Sequence, residues 1–186
     1  GQIRKKSLKE IYKKNYIKIG IFGGTFDPPH KGHLYISQVA IKKFKLKKIL
    51  WIVTKKNPLK KKPYLSKNIR IKLSKQITKN KKKIFVKYFD DKIKTSNTFT
   101  LLNYIKKNNK KSKLFFLIGA DNLLKFHKWY NWKKITEMVQ IVVFPRKNFS
   151  YRNLSLSVHK KLNKKDFIYV NCKKINISSS LIRKLW

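Results

Sequence analysis

The sequence predicts an α/β fold with a doubly wound parallel sheet, because short apolar strands alternate with amphipathic helices along the chain. The runs ILWIV and LFFLI are continuously apolar, which is typical of strands buried on both faces of a parallel sheet. Between strands, apolar residues recur at helical spacing, as at Leu34, Ile36, Val39, Ala40 and Phe44. Together these patterns favour one layered domain.

The predicted strands are rich in β-branched and aromatic residues and cover residues 16–22, 49–53, 84–89, 114–118, 141–144 and 167–170. The predicted helices carry an apolar stripe and cover residues 34–44, 69–77, 98–107, 132–138 and 179–185. Residues 1–15 are predicted to form a basic N-terminal lead-in, and residues 146–165 a loop or loose helix. We therefore expect a single domain over residues 16–186.

Length and composition limit the class of protein. The 186 residues, 41% hydrophobic and 13% aromatic, are enough for one core and too few for two ordinary domains. No apolar run approaches the roughly 20 residues of a membrane span, and the N-terminus lacks the apolar region of a signal peptide. Cys172 is the only cysteine, which excludes an internal disulfide and suits the cytoplasm. The sequence leaves the oligomeric state open.

The net charge of +42 raises the possibility of nucleic-acid binding. However, 44 of the basic residues are lysines spread along the whole chain, and only five are arginines. The chain also has 22 Ile and 15 Asn but two Ala, a bias that A/T-rich codons explain. We expect no specific nucleic-acid partner and no membrane partner, although the charge would attract anionic substrates. An RNA-binding protein stays open as the alternative from another class.

The segment GGTFDPPHKGH at residues 23–33 follows the first strand and opens a helix. Ligands bind at this place in an α/β fold, and the Gly-Gly turn would let main-chain amides approach a phosphate. His30 and His33 are three residues apart, so both imidazoles can face the same loop, and neither has an evident role in the core. The segment therefore predicts a phosphate-binding site.

This segment resembles the signature of the nucleotidyltransferase superfamily, and its fuller form is similar to that of the nicotinate-nucleotide adenylyltransferases. The resemblance implies a Rossmann-like nucleotidyltransferase fold in which His30 and His33 are catalytic and contact the triphosphate of ATP. His33 would lie nearest the reacting α-phosphate. The neighbouring residues implied to bind ATP are Gly23, Gly24, Thr25 and Phe26.

Two distant segments resemble the same family. ISSSLIR at residues 177–183 implies that Ser178, Ser179 and the catalytic Arg183 bind ATP phosphates at the start of a late helix. GADNLLKFHKWYNW at residues 119–132 implies that Gly119 and Asp121 contact ATP, with the carboxylate near a ribose. Its tryptophan Trp129 would stack on the nicotinate ring.

The remaining residues implied to bind the nicotinate nucleotide are Phe22 and Gly23 at the first strand's end, Lys60 after the ILWIV strand, and Thr98. Lys60 and Thr98 lie in segments that match the family less closely. Around Thr98 the sequence reads SNTFTLL and lacks the acid and the second threonine of the family pattern. Side-chain contacts from Thr100 are therefore in doubt, while the amides of residues 97–99 can still bind a carboxylate.

The resemblance implies adenylyl transfer from ATP to nicotinate mononucleotide in NAD biosynthesis. The implied reaction gives deamido-NAD and pyrophosphate. Mg²⁺ would be carried on ATP, and no metal site is expected in the protein. The close alternatives are an adenylyltransferase acting on nicotinamide mononucleotide or phosphopantetheine, and a cytidylyltransferase. Aminoacyl-tRNA synthetases share an H-x-G-H element, but this chain has no room for an anticodon-binding domain.

Overall fold

A six-stranded parallel sheet forms the centre of the protein. A computed structural model describes residues 16–55, 61–95, 97–146 and 161–172. The strands, numbered in chain order, are β1 Ile17–Gly24, β2 Lys48–Val53, β3 Ile84–Lys87, β4 Ser112–Gly119, β5 Gln140–Phe144 and β6 Phe167–Tyr169. Their order across the sheet is β3-β2-β1-β4-β5-β6, which confirms the doubly wound parallel sheet.

Helices connect most of these strands. They are α1 Lys31–Phe44, α2 Lys67–Ile77, α3 Asp90–Ile93, α4 Thr98–Asn108, α5 Ala120–Leu123 and α6 Trp132–Met138. Two short 3₁₀ helices cover Phe126–Lys128 and Lys164–Asp166. The predicted lead-in at 1–15, most of the predicted loop at 146–165 and the predicted last helix at 179–185 lie outside the described residues.

The sheet separates two apolar layers, because successive strand residues point to opposite faces. Leu50 and Ile52 of β2 pack in the layer that includes buried residues of α4 and α6. Ile49, Trp51 and Val53 pack in the other, which includes buried residues of α1. Strands buried on both faces explain why the runs at 49–53 and 114–118 lack polar alternation.

Candidate active site

The predicted phosphate site lies where the strand order reverses. β1 and β4 are neighbours, and Phe22 pairs with Leu117 near their carboxyl ends. From β1 the chain continues to β2 and β3 on one side, whereas β4 leads to β5 and β6 on the other. Open α/β sheets bind ligands in the crevice at such a point. The loops after β1 and β4 therefore border a ligand site.

His30 and His33 cap the start of α1 with their own side chains. The amide of Gly32 donates to His30 Nδ1, and the amide of His30 donates to His33 Nδ1, both over 3.0 Å. The two ring centroids are 3.8 Å apart. Because each Nδ1 accepts a hydrogen bond, each neutral ring carries its proton on Nε2. The histidines thus have a structural role that the sequence did not reveal, and each keeps one donor.

Both imidazoles are held in the neutral form. Burial, helped by the positive charge of Arg146, lowers the pKa of His30 to about 4. Burial, followed by His30 and Arg146, holds the pKa of His33 well below 6.5. At neutral pH the free protein therefore presents two uncharged N–H donors rather than two cations.

The amides of Gly32 and His33 at the start of α1 are occupied. The amide of Gly32 bonds to the ring of His30, and the amide of His33 bonds to the carbonyl of His30 over 3.1 Å. Because Nδ1 of each imidazole accepts a main-chain amide, the donor that each ring keeps for a phosphate is Nε2–H, polarised by that amide.

The Gly-rich turn leaves room beside β1. A Cβ atom added to Gly23 would meet nothing within 4 Å, and one on Gly24 would meet only the Phe26 ring at 3.7 Å. Neither glycine has a positive φ, but Phe26 does, with φ of 51°. The Phe26 ring is 2% exposed and stacks on Trp51. Phe26 therefore offers main-chain groups rather than its ring to a ligand.

An ion pair joins the segments that follow β4 and β5. Asp121 Oδ1 lies 3.3 Å from Arg146 Nε. A Cβ at residue 119 would lie 2.5 Å from Asp121 Oδ1 and 3.2 Å from Arg146 Cγ, so this close approach requires Gly119. The charge of Arg146 also lowers the pKa of both histidines, so the residue after β5 acts electrostatically on the loop after β1.

Arg146 and Arg70 are the residues that sequence reasoning missed. Both belong to the five arginines of a chain with 44 lysines, and this scarcity was the available signal. Arg70 is 2% exposed and donates to four main-chain carbonyls, those of Thr25, Thr54, Lys55 and Leu65.

Asp27 fixes the same loop from the other side. Its two carboxylate oxygens accept from the amides of Tyr64, over 2.7 Å, and Leu65, over 2.9 Å. Arg70 bonds the carbonyls of Thr25 and Leu65, so the loop after β1 and the segment before α2 are joined by both side chains. The loop that ends at His30 is therefore held from two directions.

The residues predicted to bind the nicotinate nucleotide lie in two places. Phe22 is at the histidines, with its ring 5.6 Å from that of His33. Thr98 begins α4, and Trp129 follows the first 3₁₀ helix, half-buried against Phe126. Tyr130 contacts Phe99 of α4 with ring centroids 5.7 Å apart, so the segments of Thr98 and Trp129 are adjacent.

Four of the predicted site residues lie outside the described part of the chain. They are Lys60, Ser178, Ser179 and Arg183.

Comparison with known proteins gives the family. Residues 21–185 match the cytidylyltransferase-like family. A protein of Pelagibacter ubique (strain HTCC1062) is 44% identical over 90% of this chain and 93% of its own. One of Clostridium tetani (strain Massachusetts / E88) is 36% identical over 90% and 86%. Both carry the name "Probable nicotinate-nucleotide adenylyltransferase". The chain belongs to the nicotinate-nucleotide adenylyltransferase family.

Structural comparison agrees on the fold of this family member. The Plasmodium falciparum nicotinic acid mononucleotide adenylyltransferase complexed with NaAD superposes with a TM-score of 0.75 and 22% identity. The match covers 91% of this chain and 83% of that one. The predicted nucleotidyltransferase fold and the family resemblance are both confirmed. Among the described residues, no helix is long and apolar enough to cross a membrane.

Proposed function

We propose that this member of the nicotinate-nucleotide adenylyltransferase family transfers AMP from ATP to nicotinate mononucleotide, giving deamido-NAD and pyrophosphate in NAD biosynthesis. The observation that carries the proposal is the pair of imidazoles, His30 and His33, which lie after β1 where the strand order reverses, within the electrostatic influence of Arg146. This arrangement suits a triphosphate, and the 44% identical relative carries the corresponding name.

The reaction needs positioning more than proton transfer. An oxygen of the 5′-phosphate of nicotinate mononucleotide attacks the α-phosphorus of ATP. The bond from that phosphorus to the bridging oxygen breaks, and pyrophosphate leaves with the electron pair. The attacking phosphate is already ionised near neutral pH, so no general base is required. Catalysis then consists of alignment and stabilisation of charge on the phosphoryl oxygens.

The described residues supply donors for those oxygens. His30 and His33 donate through Nε2–H, and neither needs to change its protonation state. The guanidinium of Arg146 adds a full positive charge beside them and is itself held by Asp121. The open space at Gly23 admits the ligand close to β1. From the family motif, we propose that Ser178, Ser179 and Arg183 bind the remaining phosphates.

Magnesium belongs to the substrate in this proposal. Mg²⁺ keeps several waters and usually binds through substrate phosphates, so it would enter as MgATP. The described residues contain no group of three or more His, Cys, Asp or Glu that could hold a metal ion. Asp121, which the resemblance places near ATP, is engaged by Arg146.

The nicotinate half of the site is proposed at α4 and Trp129. The amides of Thr98 and Phe99 have no intrahelical carbonyl, and the Asn97 side chain caps Thr100 instead, over 2.8 Å. Donors aimed at an anion separate a carboxylate from an amide, whereas ring stacking by Trp129 does not. We therefore propose that the acid is preferred over nicotinamide mononucleotide. Phe22 of β1 and Lys60, which follows β2 in the sequence, would complete the site.

We further propose that residues 16–186 act as one nucleotidyltransferase domain in the cytoplasm. The described strands form one sheet, and the single cysteine suits a reducing compartment.

A substrate panel tests the proposed function. The purified chain is assayed with ATP or CTP against nicotinate mononucleotide, nicotinamide mononucleotide and phosphopantetheine, with both products quantified. We expect the highest kcat/KM for ATP with nicotinate mononucleotide. Equal use of nicotinamide mononucleotide would disprove the carboxylate site, and no transfer to any acceptor would disprove the activity.

A further inference from the structure

A chain of hydrogen bonds leads from the core to the first turn of α1. Trp51 Nε1–H donates to Ser37 Oγ over 2.8 Å, and Ser37 Oγ–H donates to the carbonyl of His33 over 2.8 Å. Trp51 and Ser37 are both 0% exposed. A serine hydroxyl has one proton, so the direction of both bonds is fixed. The indole of β2 thus orients a hydroxyl that in turn holds the main chain of His33.

The same indole also restricts the position of the His33 ring. Trp51 stacks on Phe26 with centroids 4.9 Å apart and an interplanar angle of 18°. The His33 ring lies 4.8 Å from Phe26 and 5.9 Å from Trp51. Trp51 is therefore coupled to His33 twice, through the hydroxyl to its main chain and through ring packing to its side chain.

We propose that Ser37 and Trp51 are positioning residues that hold His33 Nε2 at the reacting phosphate. The proposal rests on the proposed adenylyl transfer. Serine hydroxyls in helices often bond to the carbonyl four residues earlier, and this alone gives no reason for function. Here the hydroxyl also accepts from a buried indole, and the carbonyl it holds belongs to a residue of the candidate site. Small misplacements in an active site lower turnover strongly.

Three variants separate positioning from stability. Ser37→Ala removes the link and leaves the indole N–H without its partner, which destabilises the fold. Trp51→Phe removes the donor but keeps an aromatic ring, and the double variant removes both hydrogen-bonding groups. We expect kcat to fall roughly tenfold in Ser37→Ala and in the double variant, with KM for ATP changed less than about twofold. The proposal would be overturned if the double variant regained both the stability and the kcat of the wild type.

Thr78→Val is the matched control. Thr78 is 6% exposed and donates to the carbonyl of Ser74, four residues earlier, over 2.7 Å, but it lies at the C-terminal end of α2 and holds no residue of the candidate site. We expect it to keep wild-type kcat. A loss equal to that of Ser37→Ala would mean that any buried helical hydroxyl has this effect.

The His33→Ala background tests whether the effect passes through His33. If Ser37 acts by placing that imidazole, Ser37→Ala lowers kcat no further once the ring is gone. The same tenfold loss in both backgrounds would overturn the proposal.

A measurement that does not depend on activity distinguishes a failure of the positioning role from a failure of the proposed adenylyl transfer. In the free protein, ¹⁵N NMR of the imidazoles should show larger changes for His33 than for His30 in Ser37→Ala. If the wild type transfers no AMP, the proposed function fails while this measurement still reports on the positioning of His33. An unchanged His33 spectrum in Ser37→Ala would overturn the positioning role.

Discussion

At the scale of the single residue, the two nitrogens of each site histidine have different tasks. Nδ1 accepts a hydrogen bond from a main-chain amide at the start of α1, and Nε2–H is left as a donor. Protonation of Nδ1 would remove an acceptor from the helix cap and place a second positive charge beside Arg146. Burial and this charge therefore keep both rings neutral.

Replacing His33 with alanine should lower kcat by roughly 10²–10³-fold, the usual cost of one lost transition-state donor. KM for ATP should change much less, because His30 and Arg146 remain. Steady-state kinetics with nicotinate mononucleotide checks this. Gln38→Ala, at an exposed position of α1, is the control and should match the wild type. Near wild-type turnover in His33→Ala would remove His33 from the mechanism.

The depressed pKa of His30 predicts a loss of stability in mild acid. In the unfolded chain the His30 imidazole binds a proton below about pH 6.5, whereas in the folded protein it does so only near pH 4. The free energy of unfolding should therefore fall as pH drops from about 6.5 to about 4.5, with His30 contributing up to about 1.4 kcal/mol per pH unit. Urea unfolding at several pH values measures this slope.

His30→Asn is the matched variant for that slope. Asparagine is a good N-cap and does not titrate, so the helix start is kept while the proton-binding group is lost. We expect a shallower pH dependence below 6.5. An unchanged slope would assign the acid sensitivity to other groups.

At the scale of secondary-structure elements, the sequence predicted most boundaries to within a few residues. Trp132–Met138 is the predicted helix, and β5 begins one residue before the predicted strand. Asp90–Ile93 and Ala120–Leu123 were missed because four residues are too few to show helical periodicity. α1 begins at Lys31 rather than at the predicted 34, because histidine side chains cap it and histidine is not a usual cap signal.

The candidate site was predictable only where a motif is local. GGTFDPPHKGH places His30 and His33 together within one turn, so the sequence predicts their proximity. Asp121 and Arg146 are 25 residues apart, and Arg70 reaches Thr25 across 45 residues. Such contacts depend on strand order in the sheet, which periodicity does not specify. The roles of His30, His33 and Asp121 in binding ATP stay predictions.

The four hydrogen bonds from Arg70 to main-chain carbonyls should be important for stability. Arg70→Met keeps the length of the side chain but leaves four main-chain carbonyls without their donor, so we expect a loss of about 3–5 kcal/mol. Urea unfolding measures it. Lys72→Met, at an exposed position of the same helix, should stay within about 0.5 kcal/mol of the wild type. A loss below about 1 kcal/mol in Arg70→Met would show that water replaces the guanidinium.

At the scale of the whole molecule, the net charge of +42 acts on both stability and substrate capture. The described residues contain three ion pairs, Lys55–Asp91, Lys67–Asp91 and Arg146–Asp121, so few of the lysines are neutralised by a nearby carboxylate. Like charges at this density repel one another in the compact state. The positive potential that they create also attracts a polyphosphate. Screening by salt should therefore move the two properties in opposite directions.

Raising KCl from about 0.05 M to about 0.5 M shortens the screening length from well above 10 Å to a few ångströms. Repulsion between surface lysines weakens, so Tm should rise. Attraction of MgATP weakens as well, so kcat/KM for ATP should fall while kcat at saturating substrate changes little, because the donors at His30 and His33 are short-range. Potassium acetate at equal ionic strength should act alike, since screening does not depend on the anion. A fall in Tm with both salts, or a kcat/KM independent of salt, would show that the lysine surface affects neither folding nor capture.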